Sequence, residues 1–479
     1  MLYPPTSGAV SALIAALGDK VSLDPSDLER MRADRSGHRS AAAPLILVNA
    51  TSTDDVQTTM RIAQQFQVPV VTRGAGTGLA GAAMAGAGEI CLSVMEMNSV
   101  LEINPVDLLA VVQPGIINQT FNDVLAERGL WWAPDPASKA ISSIGGNIAT
   151  GAGGLLCAKY GATREAVLGL KVVLADGQVI STGQRSVKGV TGYDLTSLMV
   201  GSEGTLGVVV EATLKLRRII AGDVATVSAF FPTVREAALA AAAITDSGIQ
   251  PSVMELLDSA AMHAIDEYLN VPGTGESRAH LVVQADGGTA FTDGEEIARI
   301  LAGFGGNPEL TLDPVEGERL LEVRRAMHYA MDRLGTTLIE DVSVPRSAMV
   351  AMFDAIAQIE IRYGITIPTV AHAGDGNLHP NFVFEGPDVP DHIWAAADDM
   401  FVACLKLGGT LTGEHGIGVL KKRWLRDEIG DTSLGLHHGI KSIFDPNNIL
   451  NPGKMFDALP SLSPIPNQNV SLTSKVASS

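Results

Sequence analysis

The stretch VVTRGAGTGLAG, Val70–Gly81, decides how the rest of the chain is read. An apolar run leads into Gly76, Gly78 and Gly81, which match G-x-G-x-x-G, and Glu96 follows at the spacing of a ribose ligand. A dinucleotide fold of that kind needs a crossover helix directly after the glycines, because parallel strands require a connection of about a dozen residues. Here Gly81 is followed by AAMAGAG, and strand-like text resumes by Ile90. The two glycines in that interval would each cost a helix about 1 kcal/mol against Ala. No helix fits, so Glu96 has no ribose to meet. What remains is a run of backbone N–H groups unshielded by side chains and open to positive φ, with Arg73 at its entrance: a nest for an anion such as a pyrophosphate.

Composition narrows the field further. The chain has 479 residues, 46% of them hydrophobic and 18% charged, enough for two or three globular units with a sizeable core. An excess of 53 acidic over 34 basic residues gives a net charge of −19, which repels phosphate backbones and argues against a nucleic-acid partner. Cys91, Cys157 and Cys404 are too few and too scattered for a disulfide framework, an iron–sulfur cluster or a thiolate zinc site. Gly8–Gly18 lacks a basic leader and a cleavage site and reads as a short amphipathic helix; no run suits a bilayer span. The expectation is a cytoplasmic protein, not integral to a membrane.

Working outward, Pro44–Val48, a helix over Asp54–Gln67 capped by Ser52 or Thr53, and Gln67–Thr72 make a β-α-β unit. Short strands follow over Glu89–Val112, then a helix from Asn118 to Arg128 ending at Gly129. Trp132–Gly154 is rich in small residues and has no helical period. Strands are expected at Val167–Val173 and Gln178–Thr182, with Asp176-Gly177 as their turn. Beyond Arg218 the texture becomes that of an α+β unit with an antiparallel sheet: strands at Val224–Phe231, Ser252–Leu257, His280–Gln284 and Thr336–Val344, and helices at Val234–Ser247, to Tyr268, Asp293–Phe304 and Pro314–Leu334. The Ser-, Pro- and Asn-rich tail after Pro460 reads as disordered.

Two further glycine-rich places, Gly145-Gly146-Asn147 with Gly151–Gly154, and Gly201, Gly204 and Gly207, suggest an extended cofactor lying along backbone. With RGAGTG (73–78), DPASKAISSIGGNIATGAGG (135–154), GVTGYDLTSLMVGSEGTLG (189–207) and NPGK (451–454), the chain resembles the vanillyl-alcohol-oxidase (PCMH-type) flavoproteins, the FAD-linked oxidase family. The likeness runs from about Ala42 to Met455 and is strongest to the 2-hydroxy acid dehydrogenases: D-lactate dehydrogenase, the flavin subunit of glycolate oxidase and D-2-hydroxyglutarate dehydrogenase. It implies an α+β architecture: an N-terminal helical segment (1–41), a PCMH-type FAD-binding domain of two α+β subdomains (42–218), and an α+β substrate and metal cap with an antiparallel sheet (219–457) whose end returns to the FAD domain. Residues 458–479 would be tail. The resemblance also assigns FAD to Arg73, Gly74, Ala75, Gly76, Thr77, Gly78, Pro134, Ser138, Ser143, Gly145, Gly146, Asn147, Thr150, Gly151, Gly154, Glu203, Gly207, Val208 and Asn451. Thr77 and Leu79 stand where many relatives carry a flavin-linking histidine, so FAD is expected to be non-covalent.

VAHAGDGNLHPN, Val370–Asn381, reads physically as a hairpin with a Gly374–Asn377 loop. Pairing Ala373 with Leu378 puts His372 opposite His379 with Cβ atoms roughly 5 Å apart, and Asn381 on the same face. Such a pair either shares a divalent metal or simply hydrogen-bonds within the hairpin. In TGEHGIG (412–418), Glu414 and His415 would point to opposite sides of an extended backbone, one toward a metal and one toward substrate. The resemblance implies His372, His379 and Glu414 as ligands of one divalent metal, zinc first with manganese or iron as alternatives. It gives Asn381 as a substrate contact and His415 as the catalytic base, and Arg324 matches the family's carboxylate clamp, with Arg325 its competitor.

The chemistry suits a D-2-hydroxy acid: a histidine takes the hydroxyl proton, FAD takes the α-hydrogen as hydride, and arginine holds the carboxylate. Aligning DVSVP (341–345) with the hydroxyglutarate enzymes puts Ile339 where they carry a lysine, and His328 where they carry a threonine. Ile339 offers nothing to a second carboxylate, so D-lactate, glycolate or a more apolar 2-hydroxy acid is favoured. The alternative is D-2-hydroxyglutarate, with His328, a substrate-binding candidate, or another cap residue holding the distal carboxylate. A non-catalytic flavin electron-relay subunit is the reading from another class. Electrons would leave to a separate protein carrier or quinone, and a homodimer is open to the chain.

Overall fold

A computed structural model of the chain describes residues 6–270, 278–386 and 388–457, without the side chains of 328 and 332. The tail expected to be disordered lies outside these residues.

Three sheets organise the molecule. In the first, the order is Val21–Ser22, Ile46–Asn49, Ile90–Ser93, Val70–Arg73, and the last three strands are parallel. The crossover helix Thr53–Phe66 starts with a capping box in which Ser52 accepts from the Asp55 N–H and the Asp55 carboxylate accepts from the Ser52 N–H. No helix separates Arg73 from Ile90, as the glycine count requires. The second sheet is antiparallel, in the order Val100–Asn104, Leu109–Val112, Val208–Lys215, Val167–Val173, Val179–Gly183. Its core gathers Phe121, Trp132, Ile148 and Leu170. The chain end comes back to the first sheet: the Val70 N–H donates to Ile449 C=O (2.7 Å) and the Asn451 N–H to Val70 C=O (2.8 Å).

The third sheet has eight antiparallel strands. Asn307–Thr311, Asp223–Phe231, Ala279–Gly287, Val253–Leu257, Thr369–His372, Asn377–Phe384 and Thr336–Ile339 follow in that order, and Val342–Ser343 also pairs with Asn377–Phe384. One face buries the main core under helices Val234–Asp246, Ala290–Gly303, Met349–Tyr363 and Asp391–Lys406. Helices Ser259–Leu269 and Pro314–Leu334 cover part of the other face through Met262, Ile265, Met327 and Ala330. No helix among the described residues is long and apolar enough to cross a membrane.

Three local expectations are corrected. The Trp132–Gly154 segment contains a helix, Ile144–Thr150, capped by Ser143 and ended by Gly151 at φ 68°. Two turns of small residues are too short to show a helical period. The hairpin register differs by two residues: His372 pairs with Asn377, Ala371 with Leu378 and Val370 with His379. The Ala373 N–H is drawn to Met254 C=O on the neighbouring strand (2.7 Å) and so is lost to the hairpin. A two-residue shift keeps every side chain on its face, so His372 and His379 still face the same way. Finally, the strand expected over Thr336–Val344 is split after Ile339, yet both pieces keep one register against Asn377–Phe384. Pro380, lying across from Glu340, has no N–H to continue the ladder.

Candidate active site

Registry places the site. Glu255 pairs with His372, Val370 with His379, and Ile339 with Asn381. Paired residues share a sheet face, so Glu255, His372, His379, Asn381 and Ile339 line one stretch of it. Asp341, two residues on from Ile339 in the same register, joins them.

Above this face the irregular segment after Thr410 brings in Glu414 and His415. Glu414 Oε1 lies 3.5 Å from His372 Nε2, 3.3 Å from His379 Nε2 and 3.7 Å from His415 Nε2. The expectation that Glu414 and His415 point to opposite sides is therefore corrected: they converge, and the His415 ring stacks on His379 with centroids 4.9 Å apart. The cause is Asp341, whose Oδ2 accepts from Thr412 Oγ1 (2.6 Å), the Glu414 N–H (3.0 Å) and the His415 N–H (2.8 Å). Three bonds to one carboxylate oxygen curl the segment out of an extended form. Asp341 is held in turn by the buried Lys421, with Nζ 3.6 Å from Oδ2.

His372, His379 and Glu414 offer ligand atoms within 4.8 Å of one another, and Asp341, His379 and His415 do likewise. Burial alone would keep His372 neutral, but the Glu255 and Glu414 carboxylates lift it well above the usual imidazole range. Burial alone would raise Glu414, but His372 and His379 hold it well below the usual carboxylate range. An imidazolium proton thus stands where a cation would suit two nitrogens and an oxygen. Burial pushes His415 down to about 4, which outweighs the pull of Asp341 and leaves the ring neutral at pH 7. His379 Nδ1, His415 Nδ1 and Asp341 Oδ1 are buried with no hydrogen-bond partner among the described residues. A polar set with unsatisfied atoms at its centre is what a bound cation and a polar substrate would complete.

Of the two arginines, Arg324 faces the site. Its side chain is 15% exposed and its Nε donates to Glu255 Oε2 at 2.6 Å, whereas Arg325 is 57% exposed and pairs with Glu318. The Asn381 amide donates to Pro368 C=O (3.0 Å) and His379 C=O (2.8 Å), so both its hydrogens are taken by backbone and only its oxygen is free for a substrate. The His328 side chain lies outside the described residues. Sequence reasoning missed Glu255, Asp341 and Lys421 as site components. The available signal was a lone carboxylate in the apolar run VMELL.

The glycine loop is built differently. Among the described residues, no N–H from Ala75 to Ala82 donates a hydrogen bond within the protein. Arg73 does not guard the entrance: it turns back, giving Nη1 to Ala83 C=O (2.8 Å) and lying over Gly76, where a Cβ would fall 2.1 Å from Nη2. Gly74 packs on Ser143 Oγ and Gly145 on Pro114. Asn147 accepts from Asn118 Nδ2 (3.1 Å) and donates to Ser142 Oγ (3.2 Å). The Pro134 carbonyl accepts from Asn118 Nδ2, the Ser138 carbonyl from Ile141 and Ser142, and Thr150 Oγ1 donates to Gly146 C=O. Gly207 abuts Val172 and the Val208 side chain lies in the core, leaving backbone as its contribution. Glu203, Gly151, Gly154 and Asn451 act as junctions. Glu203 accepts from the N–H groups of Ile417 (2.6 Å) and Gly418 (2.7 Å), and Asn451 Nδ2 donates to Ala82 and Glu203 carbonyls. Gly151 lies against Gly201 and Gly154 against Asp135. At Gly153 a Cβ would strike Glu414 Oε2 at 2.4 Å, so this glycine segment packs directly on the side-chain site.

Residues 44–183 match the FAD binding domain family, and residues 221–455 match the family described as FAD linked oxidases, C-terminal domain. This chain belongs to the FAD-linked oxidases. The FAD-linked oxidase is 39% identical to glycolate oxidase subunit GlcD of Bacillus subtilis over 86% of this chain and 89% of that one. It is 34% identical to the mitochondrial D-lactate dehydrogenase [cytochrome] of Arabidopsis thaliana over 88% of this chain and 75% of that one. Among solved structures, p-cresol methylhydroxylase superposes with a TM-score of 0.77 at 18% identity, covering 95% of this chain and 97% of that chain, which establishes the PCMH-type α+β fold. The free N–H groups of Ala75–Ala82 lie inside the matched FAD-binding domain, and they fit the pyrophosphate of that cofactor. In this oxidase the glycine segment at Gly153 packs on Glu414 of the histidine cluster, one contributing backbone and the other side chains.

Proposed function

We propose that this FAD-linked oxidase is a dehydrogenase that converts a D-2-hydroxy monocarboxylate of the D-lactate or glycolate type to the 2-oxo acid. The observation that carries the reading is the convergence of His372, His379, Glu414 and His415 beside the FAD-binding glycines, with Arg324 at its flank. His372, His379 and Glu414 would hold one divalent metal, zinc in the first place. FAD would be held without a covalent bond, since no histidine occurs between Arg73 and Ile90. When bound, the flavin supplies a hydride acceptor and the cation supplies Lewis acidity toward the substrate hydroxyl.

The chain does the rest. Arg324 spends Nε on Glu255 and has no described partner at Nη1 or Nη2, which are left to grip a carboxylate. His415, neutral and buried, takes the hydroxyl proton on Nε2, the nitrogen 3.7 Å from Glu414 Oε1. The α-hydrogen would leave with its electron pair for the hydride acceptor that a bound flavin supplies, as the C–O bond becomes a carbonyl. The uncharged Ile339 shares the face of Asn381, and Asp135 and Asp375 lie within electrostatic reach of His372 and Glu255. Ile339 offers a second substrate carboxylate no counter-charge. A non-catalytic electron relay would need neither the ligand trio nor His415. Electrons would pass on to a separate protein carrier or quinone.

Anaerobic flavin bleaching of the purified protein against D- and L-2-hydroxy acids, with and without a chelator, tests the proposal. Bleaching by D-lactate or glycolate that the chelator suppresses is expected. Faster bleaching by D-2-hydroxyglutarate would overturn the monocarboxylate assignment, and no bleaching by any hydroxy acid would overturn the dehydrogenase.

A further inference from the structure

We propose that Glu255 is a positioning residue that ties the metal ligand His372 to the carboxylate clamp Arg324, so that one buried carboxylate orients both the cation and the substrate. The inference rests on the reading of His372 and Arg324 given above.

Glu255 is the one charged residue of Val253–Leu257 and is 0% exposed. A carboxylate in an apolar strand is tolerated only when both oxygens are satisfied by cations or donors. Here Oε1 meets His372 Nδ1 at 2.6 Å and Oε2 meets Arg324 Nε at 2.6 Å. The two partners come from different elements: His372 is its registered neighbour on the adjoining strand, and Arg324 descends from helix Pro314–Leu334. A histidine that presents Nε2 to a metal must keep its proton on Nδ1, and a carboxylate behind Nδ1 fixes that tautomer and strengthens the ligand. The 3.5 Å approach of His372 Nε2 to Glu414 Oε1 shows which nitrogen faces the ligand trio. On its other side Glu255 engages Arg324 through Nε, which fixes the plane of the guanidinium and leaves both Nη groups without a partner among the described residues. Asp341 stands behind His379 in a similar sense, but at 3.8 Å it is beyond hydrogen-bond reach. Among the described residues, Glu255 alone bridges a ligand and the clamp.

The test measures zinc affinity of the FAD-loaded protein by competition with a chromophoric chelator, beside KM for the hydroxy acid. Glu255→Gln is expected to weaken zinc binding about 10- to 100-fold and to raise KM, with FAD content unchanged. Glu255→Asp keeps the buried charge and shortens its reach by one methylene, so it guards against a folding failure in the first variant and is expected to weaken zinc binding as well. Zinc affinity within threefold of the parent in both variants would overturn the proposal. His379→Ala does not touch Glu255: if it too leaves zinc binding intact, the metal reading itself falls, whereas loss in His379→Ala alone defeats only the role of Glu255. The unmutated protein gives one more readout. Histidine-selective 15N spectra should show His372 protonated on Nδ1, and the opposite tautomer would refute the assignment.

Discussion

The two halves of the candidate site are built by opposite means. The glycine loop is defined by what is absent: among the described residues, no side chain or neighbouring strand claims the N–H groups of eight successive residues, Ala75–Ala82. The cap is built from what is present: Glu255, Arg324, Asp341, His372, His379, Glu414 and His415 come from five separate stretches and converge, with His379 Nδ1, His415 Nδ1 and Asp341 Oδ1 left unsatisfied among the described residues. A backbone nest depends on conformation and tolerates local change poorly at its glycines. A side-chain cluster depends on identity, although Asp341 also shapes the main chain at Glu414 and His415.

That contrast can be broken at five points. The largest effect is expected from His415→Ala, which should slow flavin reduction by about 10²- to 10⁴-fold with FAD retained, as read by anaerobic stopped-flow absorbance; an undiminished rate removes it as the base. Glu414→Gln comes next: metal content after dialysis should fall below stoichiometric while the flavin spectrum stays, and added zinc should restore little activity. Gly76→Ala should do the reverse. Its φ of 69° and the Arg73 guanidinium leave no room for a methyl, so FAD should be lost on gel filtration while zinc affinity survives. Arg324→Leu should raise KM for the hydroxy acid about tenfold or more, since a charge-assisted bidentate contact is worth roughly 1.5–3 kcal/mol, and Arg325→Leu should leave it unchanged.

The smallest effect concerns stability. Burial pushes His280 down to about 4 from an ordinary value of 6.5, while Nε2 sits 2.7 Å from Ser228 Oγ. The unfolded chain therefore binds the extra proton first, and the contribution of His280 to stability is lost as pH falls from about 6.5 to about 4. Denaturant titrations of the parent and His280→Gln should diverge in that window by about 1 kcal/mol per pH unit and run parallel above it.

The same contrast explains what could be read in the chain. The nest was legible because its requirement is local: glycines, no room for a helix before Ile90, and a strand leading in. The histidines were legible as neighbours in one hairpin, and a register error of two residues left their shared face intact. Glu255 was not, since nothing in VMELL says that Arg324 and His372 will arrive at its two oxygens. Nor was the turn of Glu414 and His415 toward the same point. It depends on Asp341, and a separation of 71 positions between Asp341 and Thr412 gives no hint of their contact. Arg73 misled for a related reason: a cation beside an anion nest suggests a ligand contact, but its nearest acceptor is the carbonyl of Ala83 in its own loop.

The return of Asn451 to Ala82 spans 369 residues. At about 5–20 residues per second, a ribosome needs on the order of tens of seconds to cross that distance. During this interval the parallel sheet lacks the strand-like edge at Ile449–Asn451, and the loop around Ala82 lacks the amide that pins it. The nucleotide-binding half thus reaches its finished form only after the cap has emerged. Loading of flavin becomes a late event in the life of the nascent chain, and a stalled or truncated product is left without a closed cofactor pocket.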